Sequence, residues 1–332
     1  MANGGKPLHL HIENSTQLGD VFEVTPSRLN DALARHPDIA RHVKITVGRD
    51  GDGFRDAMAS ADVLFAWDFE RDSLAEFAPR LRWIHLQGAG VNHLLPLDWI
   101  PPGVTLTNSR GAHGERASEY LLMAILALNN GLPAMTTNQR QKRWQQIHNS
   151  TIRGKTLLIY GVGHVGGDTA VAASQFGLRI LGIRRTGAPH EGVDEMHGPG
   201  ALHSLLPRAD FILITAPHTP STDHVFGRQE FGLMKQGAGF INYSRSRLVD
   251  YAALREALTA GRISAIVDVF DEEPLPDTSP LWHTPNLIIT PHCGSNDPLH
   301  HEQRSLDLLF DNMQRFLEGK ELLNIVDPVQ QY

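Results

Sequence analysis

The chain has 332 residues, 41% of them hydrophobic and 20% charged, the composition of a globular protein long enough for two domains. Its net charge of −7 argues against a broad nucleic-acid or anionic-membrane surface, and its single cysteine, Cys293, excludes an internal disulfide. The opening "MANGGKPLHLHIEN" has no continuous apolar stretch of the kind a signal peptide carries. "YLLMAILAL" (120–128) is too short to cross a bilayer, so a cytoplasmic location without membrane contact is expected. The histidines are scattered, with no Cys/His pairs at structural-zinc spacing, and no metal is expected.

Taken in chain order, the first hundred residues alternate apolar runs with helical stretches. "LHLHI", "KITVG", "DVLFAW" and "LRWIHL" predict strands, and "SRLNDALARH" and "DSLAEFAP" predict helices between them. That alternation implies a parallel sheet with helices on its faces. A turn-rich section, "LDWIPPGVTLTNSRG", then leads into a long helix from about Ala112 to Asn130. Leu121, Ile125 and Leu128 share one face of it, yet Leu122, Met123 and Leu126 are apolar as well. A helix apolar nearly all round is deeply buried or lies in a subunit interface, and a homodimer contact is the favoured expectation.

From Lys155 the α/β rhythm restarts. "TLLIYG", "RILGIR", "FILITAP", "GFINYS", "SAIVDVF" and "LIITPH" are six strand candidates, near-continuous in apolar residues as strands covered on both faces should be. A last helix is predicted from about Leu299 to Gly319, with Leu306, Leu309, Met313 and Phe316 on one stripe. No flexible linker separates the two halves. The expected architecture is therefore α/β, two Rossmann-like domains with parallel sheets and a ligand cleft between them.

"GVGHVG" (161–166) follows the strand "KTLLIY" and opens a helix whose inner stripe is expected to be Val165, Thr169, Ala172 and Phe176. This is the strand–loop–helix setting of a dinucleotide fingerprint. Gly161 permits the tight turn, Gly163 lets a pyrophosphate approach the backbone, and Gly166 lets helix and strand pack closely. The next strand ends in Arg184 and Arg185, where an NAD enzyme would offer a carboxylate to the ribose hydroxyls. An arginine cannot accept those bonds but pairs bidentately with a 2′-phosphate. Arg184, Arg185 and Thr186 thus predict a preference for NADP(H), with NAD(H) as the alternative.

Three later strand ends carry reactive side chains. "INYSRSRLVD" offers Arg245 and Arg247, "VDVFDEEP" offers Asp268, Asp271, Glu272 and Glu273, and "ITPHCG" offers His292. The set suits carbonyl reduction. Hydride arriving at a carbonyl carbon leaves charge on oxygen, which an acid tuned near neutral pH must protonate. A carboxylate beside the histidine fixes its ring, and an arginine polarises the carbonyl and holds a carboxylate. Periodicity does not choose between Glu272 and Glu273, or between Arg245 and Arg247.

Over almost its whole length the sequence resembles the D-isomer-specific 2-hydroxyacid dehydrogenase family. The matching segments are "LRWIHLQGAGVNHL", "LTNSRGAHGERASEYLLMAILAL", "GKTLLIYGVGHVG", "TAPHTPSTDHVFG", "LMKQGAGFINYSRSRLVD", "DVFDEEPLPDTSPLW" and "PNLIITPHCG", in the family's order. The resemblance implies a catalytic arginine at Arg245, glutamate at Glu273 and histidine at His292. It implies a substrate-carboxylate loop at Gly88, Ala89, Gly90 and Val91, with Trp282 of "SPLW" a further candidate for the substrate pocket. Cofactor contacts are implied at His164 and Val165, at Pro217 and Thr222, at Tyr243 and Ser244, and at Asp268, which would meet the nicotinamide amide. The implied domains are a discontinuous substrate-binding domain (1–108 and 297–332) and a dinucleotide-binding domain (109–296). Ser246, Asn92 and the pair Asn129–Asn130 depart from the family's usual residues, and none belongs to the triad.

The expected activity is reduction of a small 2-oxo acid of the glyoxylate or hydroxypyruvate type by NADPH, as in the reductase branch that the arginine pair resembles. A non-catalytic dinucleotide sensor or corepressor on the same fold is the alternative, disfavoured by the complete triad. Formate or phosphite oxidation is weaker still, since formate enzymes carry glutamine at the place of Glu273.

Overall fold

The structure, a computed structural model, describes residues 6–19 and 22–328. Residues 1–5 of the N-terminal stretch read above, and 329–332 of the last segment, lie outside the described residues. The chain divides into two compact units: residues 1–113 with 296–332, and residues 114–295.

The first unit holds β1 (Leu8–Asn14), β2 (Val43–Arg49), β3 (Val63–Ala66), β4 (Trp83–Leu86) and β5 (Thr105–Asn108). All pair in parallel, in the order β2-β1-β3-β4-β5, with Leu10 opposite both Ile45 and Val63. One face packs Leu64, Ile84, Leu86 and Leu106 against Phe54, Met58 and Leu74. The other packs Leu10, Ile12, Val63, Phe65 and Trp83 against Leu306, Leu309, Phe310 and Met313 of the helix His301–Leu317. A chain segment from the far end of the sequence therefore completes this core.

The second unit holds β6 (Thr156–Tyr160), β7 (Arg179–Ile183), β8 (Glu195–His197), β9 (Phe211–Ile214), β10 (Ala238–Asn242), β11 (Ile263–Val267) and β12 (Leu287–Ile289). The order is β12-β11-β10-β9-β6-β7-β8, again all parallel. β6 runs on to β7, while its other neighbour, β9, runs on to β10 in the opposite direction. The strand order thus reverses between β6 and β9, the kind of switch point at which such sheets bind ligands outside the strands' carboxyl ends. Alternate residues serve opposite faces. Leu158, Leu181, Ile212 and Phe240 join one core, while Leu157, Ile180, Leu213 and Ile241 join the other with Tyr120, Leu121, Ala124, Ile125 and Leu128 of the helix Gly114–Asn129. The opposite side of that helix is less covered, and Met123 is 50% exposed.

Three expectations need correction. The turn-rich section before the long helix contains a fifth strand, β5, whose Thr107 and Asn108 are buried, and Trp83 Nε1 donates to Thr107 Oγ1 at 2.7 Å. The short edge strand β8 was not anticipated either. In the helix His164–Gln175 the buried face is Gly166, Gly167, Thr169, Ala170 and Ala173, and Phe176, placed on the inner stripe above, is 43% exposed. Small residues face inward because the helix lies against backbone: a Cβ on Gly166 would stand 2.4 Å from Gly161 O.

Phe310 is fully buried in the core closed by the helix His301–Leu317. Phe310→Ala is expected to cost about 3–5 kcal/mol in chemical denaturation, and a loss below about 1 kcal/mol would contradict this packing.

Candidate active site

The glycine loop follows β6. Gly161 has φ +109°, and a Cβ there would come within 2.2 Å of Ala216 N. Gly163 caps the helix His164–Gln175 without any side-chain cap bond, and a Cβ on it would meet nothing within 4 Å. No side chain caps the first-turn N–H groups, which lie at the positive end of a 12-residue helix, a setting that suits a pyrophosphate. At the end of β7, Arg184 is half-buried and Arg185 and Thr186 are exposed. Arg184 N donates to His197 O at 3.1 Å and Gly187 N closes a turn on Arg184 O at 3.1 Å. Beyond β9, Thr222 Oγ1 donates to Pro217 O at 2.9 Å and accepts from Thr219 N at 2.8 Å, so this hydroxyl shapes its own loop.

His292, Glu273 and Arg245 stand at the ends of β12, β11 and β10. His292 Nδ1 is 2.7 Å from Glu273 Oε2, and Phe270 N donates to Glu273 Oε1 at 2.8 Å. Burial works to raise the Glu273 pKa, but the bonds from His292 and Phe270, with the charges of His292 and Arg245, outweigh it and hold the carboxyl below its ordinary value. Arg245 is half-buried, and its Nη1 donates to Ser244 O at 2.8 Å. Burial lowers its pKa, opposed by Glu273 and Tyr243, and a guanidinium stays charged throughout. Arg247 is instead an exposed partner of Asp223, Nε to Oδ1 3.0 Å. Glu272 makes no such bond to the histidine.

His292 has φ +48°, a left-handed conformation uncommon outside glycine, and its N–H reaches back to Thr290 O at 3.0 Å. The turn is held by Asp268, 2% exposed, whose Oδ1 accepts from Thr290 Oγ1 at 2.5 Å and Cys293 N at 3.2 Å, and whose Oδ2 accepts from Gly294 N at 3.1 Å. Tyr120 OH joins at 2.6 Å from Thr290 Oγ1. Gly294 admits this packing, since a Cβ there would stand 2.6 Å from the Tyr243 ring and 2.9 Å from that of Tyr120. Asp268, expected at the nicotinamide amide, is engaged here with the histidine turn. Tyr120 and Thr290 were not anticipated. Ser244 Oγ donates to Ala216 O, linking the arginine segment to the strand end beside the glycine loop.

In the first unit, Gly88 and Val91 are buried, with Ala89 and Gly90 half-buried. Ala89 O accepts from Asn108 Nδ2 at 2.7 Å, and Gly88 O from Ser109 N at 3.1 Å. A Cβ on Gly88 would be 2.1 Å from the Trp67 indole, on which His93 stacks at 4.0 Å. Trp282 takes no part in the hydrogen bonds of His292, Glu273 or Arg245. Its Nε1 donates to Pro276 O at 2.9 Å, and its ring lines a cavity of about 210 Å³ with Thr136, Arg140, Leu281, Leu287 and Ile289.

Residues 122–294 match the family described as D-isomer specific 2-hydroxyacid dehydrogenase, NAD binding domain. The chain belongs to this family. A D-3-phosphoglycerate dehydrogenase of Methanocaldococcus jannaschii is 30% identical over 295 residues, 86% of this chain and 55% of that one. The chain thus spans about half the length of that relative. Among solved structures, a D-isomer specific 2-hydroxyacid dehydrogenase from Xanthobacter autotrophicus Py2, in complex with NADPH and MES, superposes with a TM-score of 0.84 at 27% identity, covering 99% of this chain and 100% of that one. An NADPH-dependent glyoxylate/hydroxypyruvate reductase from Sinorhizobium meliloti, solved with NADP and sulfate, gives 0.80 at 26% identity, covering 98% and 100%. The family's nicotinamide-dinucleotide domain is therefore the second unit, with the glycine loop described above inside it. No helix among the described residues is long and apolar enough to cross a membrane.

Asp268→Ala removes the acceptor of two loop amides and one hydroxyl. It is expected to cost about 2–3 kcal/mol and to speed hydrogen exchange at Cys293 and Gly294; unchanged exchange there would show that the turn does not depend on Asp268.

Proposed function

We propose that the protein reduces a small 2-oxo acid, of the glyoxylate or hydroxypyruvate kind, to the D-2-hydroxy acid. The observation that carries the reading is the 2.7 Å bond between His292 and Glu273, set beside the charge of half-buried Arg245. The bound dinucleotide supplies the hydride. Glu273 takes up Nδ1 of His292, so Nε2 carries the transferable proton and gives it to the carbonyl oxygen as hydride reaches the carbonyl carbon. Glu273 also steadies the imidazolium before transfer, and its lowered pKa keeps it ionised well into the acid range. Arg245 polarises the carbonyl and pairs with the substrate carboxylate. The backbone N–H groups of Gly88, Ala89, Gly90 and Val91 receive that carboxylate in this reading.

NADPH is the preferred cofactor in this proposal. Arg184, Arg185 and Thr186 take the place of the ribose-binding acid, and two similar structures hold NADPH and NADP. Cofactor contacts are assigned to Gly161, Gly163, His164, Val165 and Gly166, to Pro217 and Thr222, and to Tyr243 and Ser244. The less covered side of the helix Gly114–Asn129, with Met123 half exposed, is the expected homodimer surface.

Initial rates with NADPH and NADH against glyoxylate, hydroxypyruvate, pyruvate and phenylpyruvate test the reading. NADPH should be favoured by roughly tenfold or more, and Arg184→Ala with Arg185→Ala should abolish that preference by raising KM for NADPH. Equal rates in the unaltered protein would reject the arginine assignment, and silence with every acid despite NADPH binding would favour a sensor. His292→Ala should lower kcat by about 10²–10⁴ while NADPH affinity, read by fluorescence, stays within about twofold. Lost NADPH binding with retained turnover would reverse the assigned roles.

A further inference from the structure

The helix His301–Leu317 runs with its N-terminus toward the carboxyl end of β4. Phe316 stacks on Trp83, the first residue of that strand, at 5.7 Å, while Ser305 Oγ donates to the carbonyl of Gln87, just past its last residue, at 3.1 Å. Gln87 immediately precedes Gly88, so this helix end lies against the base of the Gly88–Val91 loop. One turn before Ser305, on the same buried face, stands Glu302. It is 2% exposed, and among the described residues neither of its carboxyl oxygens has a hydrogen-bond partner. Gln87 Oε1 is likewise buried and unpartnered, its amide nitrogen donating to Phe22 O at 3.3 Å.

The groups around Glu302 give it no counter-charge in contact. Arg28, from the helix Pro26–Arg35, acts on it at a distance, and its guanidinium donates to Glu23 O at 2.6 Å and Pro298 O at 3.1 Å. His301, next on the same helix, is 1% exposed and is kept neutral by burial and by His113, whose ring stacks on it at 4.4 Å with the two Nδ1 atoms 3.1 Å apart. Asp297 acts on His301 from the preceding segment. Burial without a partner disfavours an ionised carboxyl, and it pushes Glu302 up to about 8, with Arg28 opposing.

We propose that Glu302 is a positioning residue for the substrate loop: uncharged, it leaves Gly88–Val91 able to receive a carboxylate, and ionised, it repels that carboxylate. The proposal rests on the reading of Gly88–Val91 as the carboxylate loop. At an effective dielectric of about 20, a like charge on the order of 10 Å away would weaken the affinity for an anion by roughly tenfold. The effect falls on substrate affinity, because the loop that Glu302 underlies is read as binding the substrate and not as transferring the proton or the hydride.

The test compares unaltered protein with Glu302→Gln from pH 6.5 to 9.5, using glyoxylate and NADPH. KM for glyoxylate in the unaltered protein should rise on the order of tenfold relative to the variant as pH passes 8. The ratio of kcat values and the NADPH affinities should stay level, and titrations shared by both proteins cancel in the ratios. Parallel KM curves, or a variant KM already raised at pH 6.5, would overturn the proposal. A second readout needs no substrate. With its pKa raised from 4.5 to about 8, Glu302 keeps a proton in the folded state that the unfolded chain releases, so the unaltered protein loses stability as pH rises across that window. Its Tm should therefore fall more steeply from pH 5 to 8 than that of the variant, and equal slopes would overturn the buried-acid premise. No turnover of any 2-oxo acid, with the Tm difference present, would reject the functional reading instead. If Glu302→Gln does not fold, Glu302→Met, similar in volume and without charge, carries the same comparison.

Discussion

The position of His292 depends on one buried carboxylate. Asp268 accepts from the hydroxyl of Thr290 and from the amides of Cys293 and Gly294, and those bonds hold a non-glycine residue, His292, at positive φ. Left alone, that backbone would relax toward a commoner conformation and turn the imidazole elsewhere. With the turn fixed, Nδ1 meets Glu273, whose other oxygen is held by the Phe270 amide. A rigid strand end, a buried acceptor and a glycine beside two tyrosines together determine where a single nitrogen points.

Much of this was legible in the sequence, for reasons that differ from element to element. Strands such as β6 and β9 are covered on both faces, so their residues are apolar without interruption and short runs of Leu and Ile mark them unmistakably. β5 escaped because half of it is polar: its Thr107 and Asn108 are buried by hydrogen bonding to neighbours distant in sequence. Phe176 misled for the opposite reason. Periodicity rewards large apolar residues, while the helix it follows sits so near the sheet that its buried face holds only small residues, Gly, Ala and Thr169.

At the candidate site, residue types were legible and individual choices were not. Glu272 and Glu273 are equal to any periodicity argument, and what separates them is a bond made by His292, nineteen residues from Glu273. Arg245 and Arg247 divide similarly, one half-buried near Glu273 and the other paired with Asp223 in the open. Thr290, immediately before "PHCG", carried a signal that only the position of Asp268 makes readable. Glu302 lies in the first turn of its helix, a common place for an acid, and only its burial sets it apart.

The order of the two units along the chain bears on how the protein is made. The second unit, 114–295, is continuous, and its cores draw only on residues within that span. The first is interrupted, and one face of its sheet stays uncovered until Leu306, Leu309, Phe310 and Met313 have been synthesised. On the ribosome, the dinucleotide unit can therefore complete its core while the N-terminal sheet still exposes Leu10, Ile12, Phe65 and Trp83. Of the two units, the one whose translation starts earlier is the later to be finished, and for that interval its apolar face is what chaperones would meet.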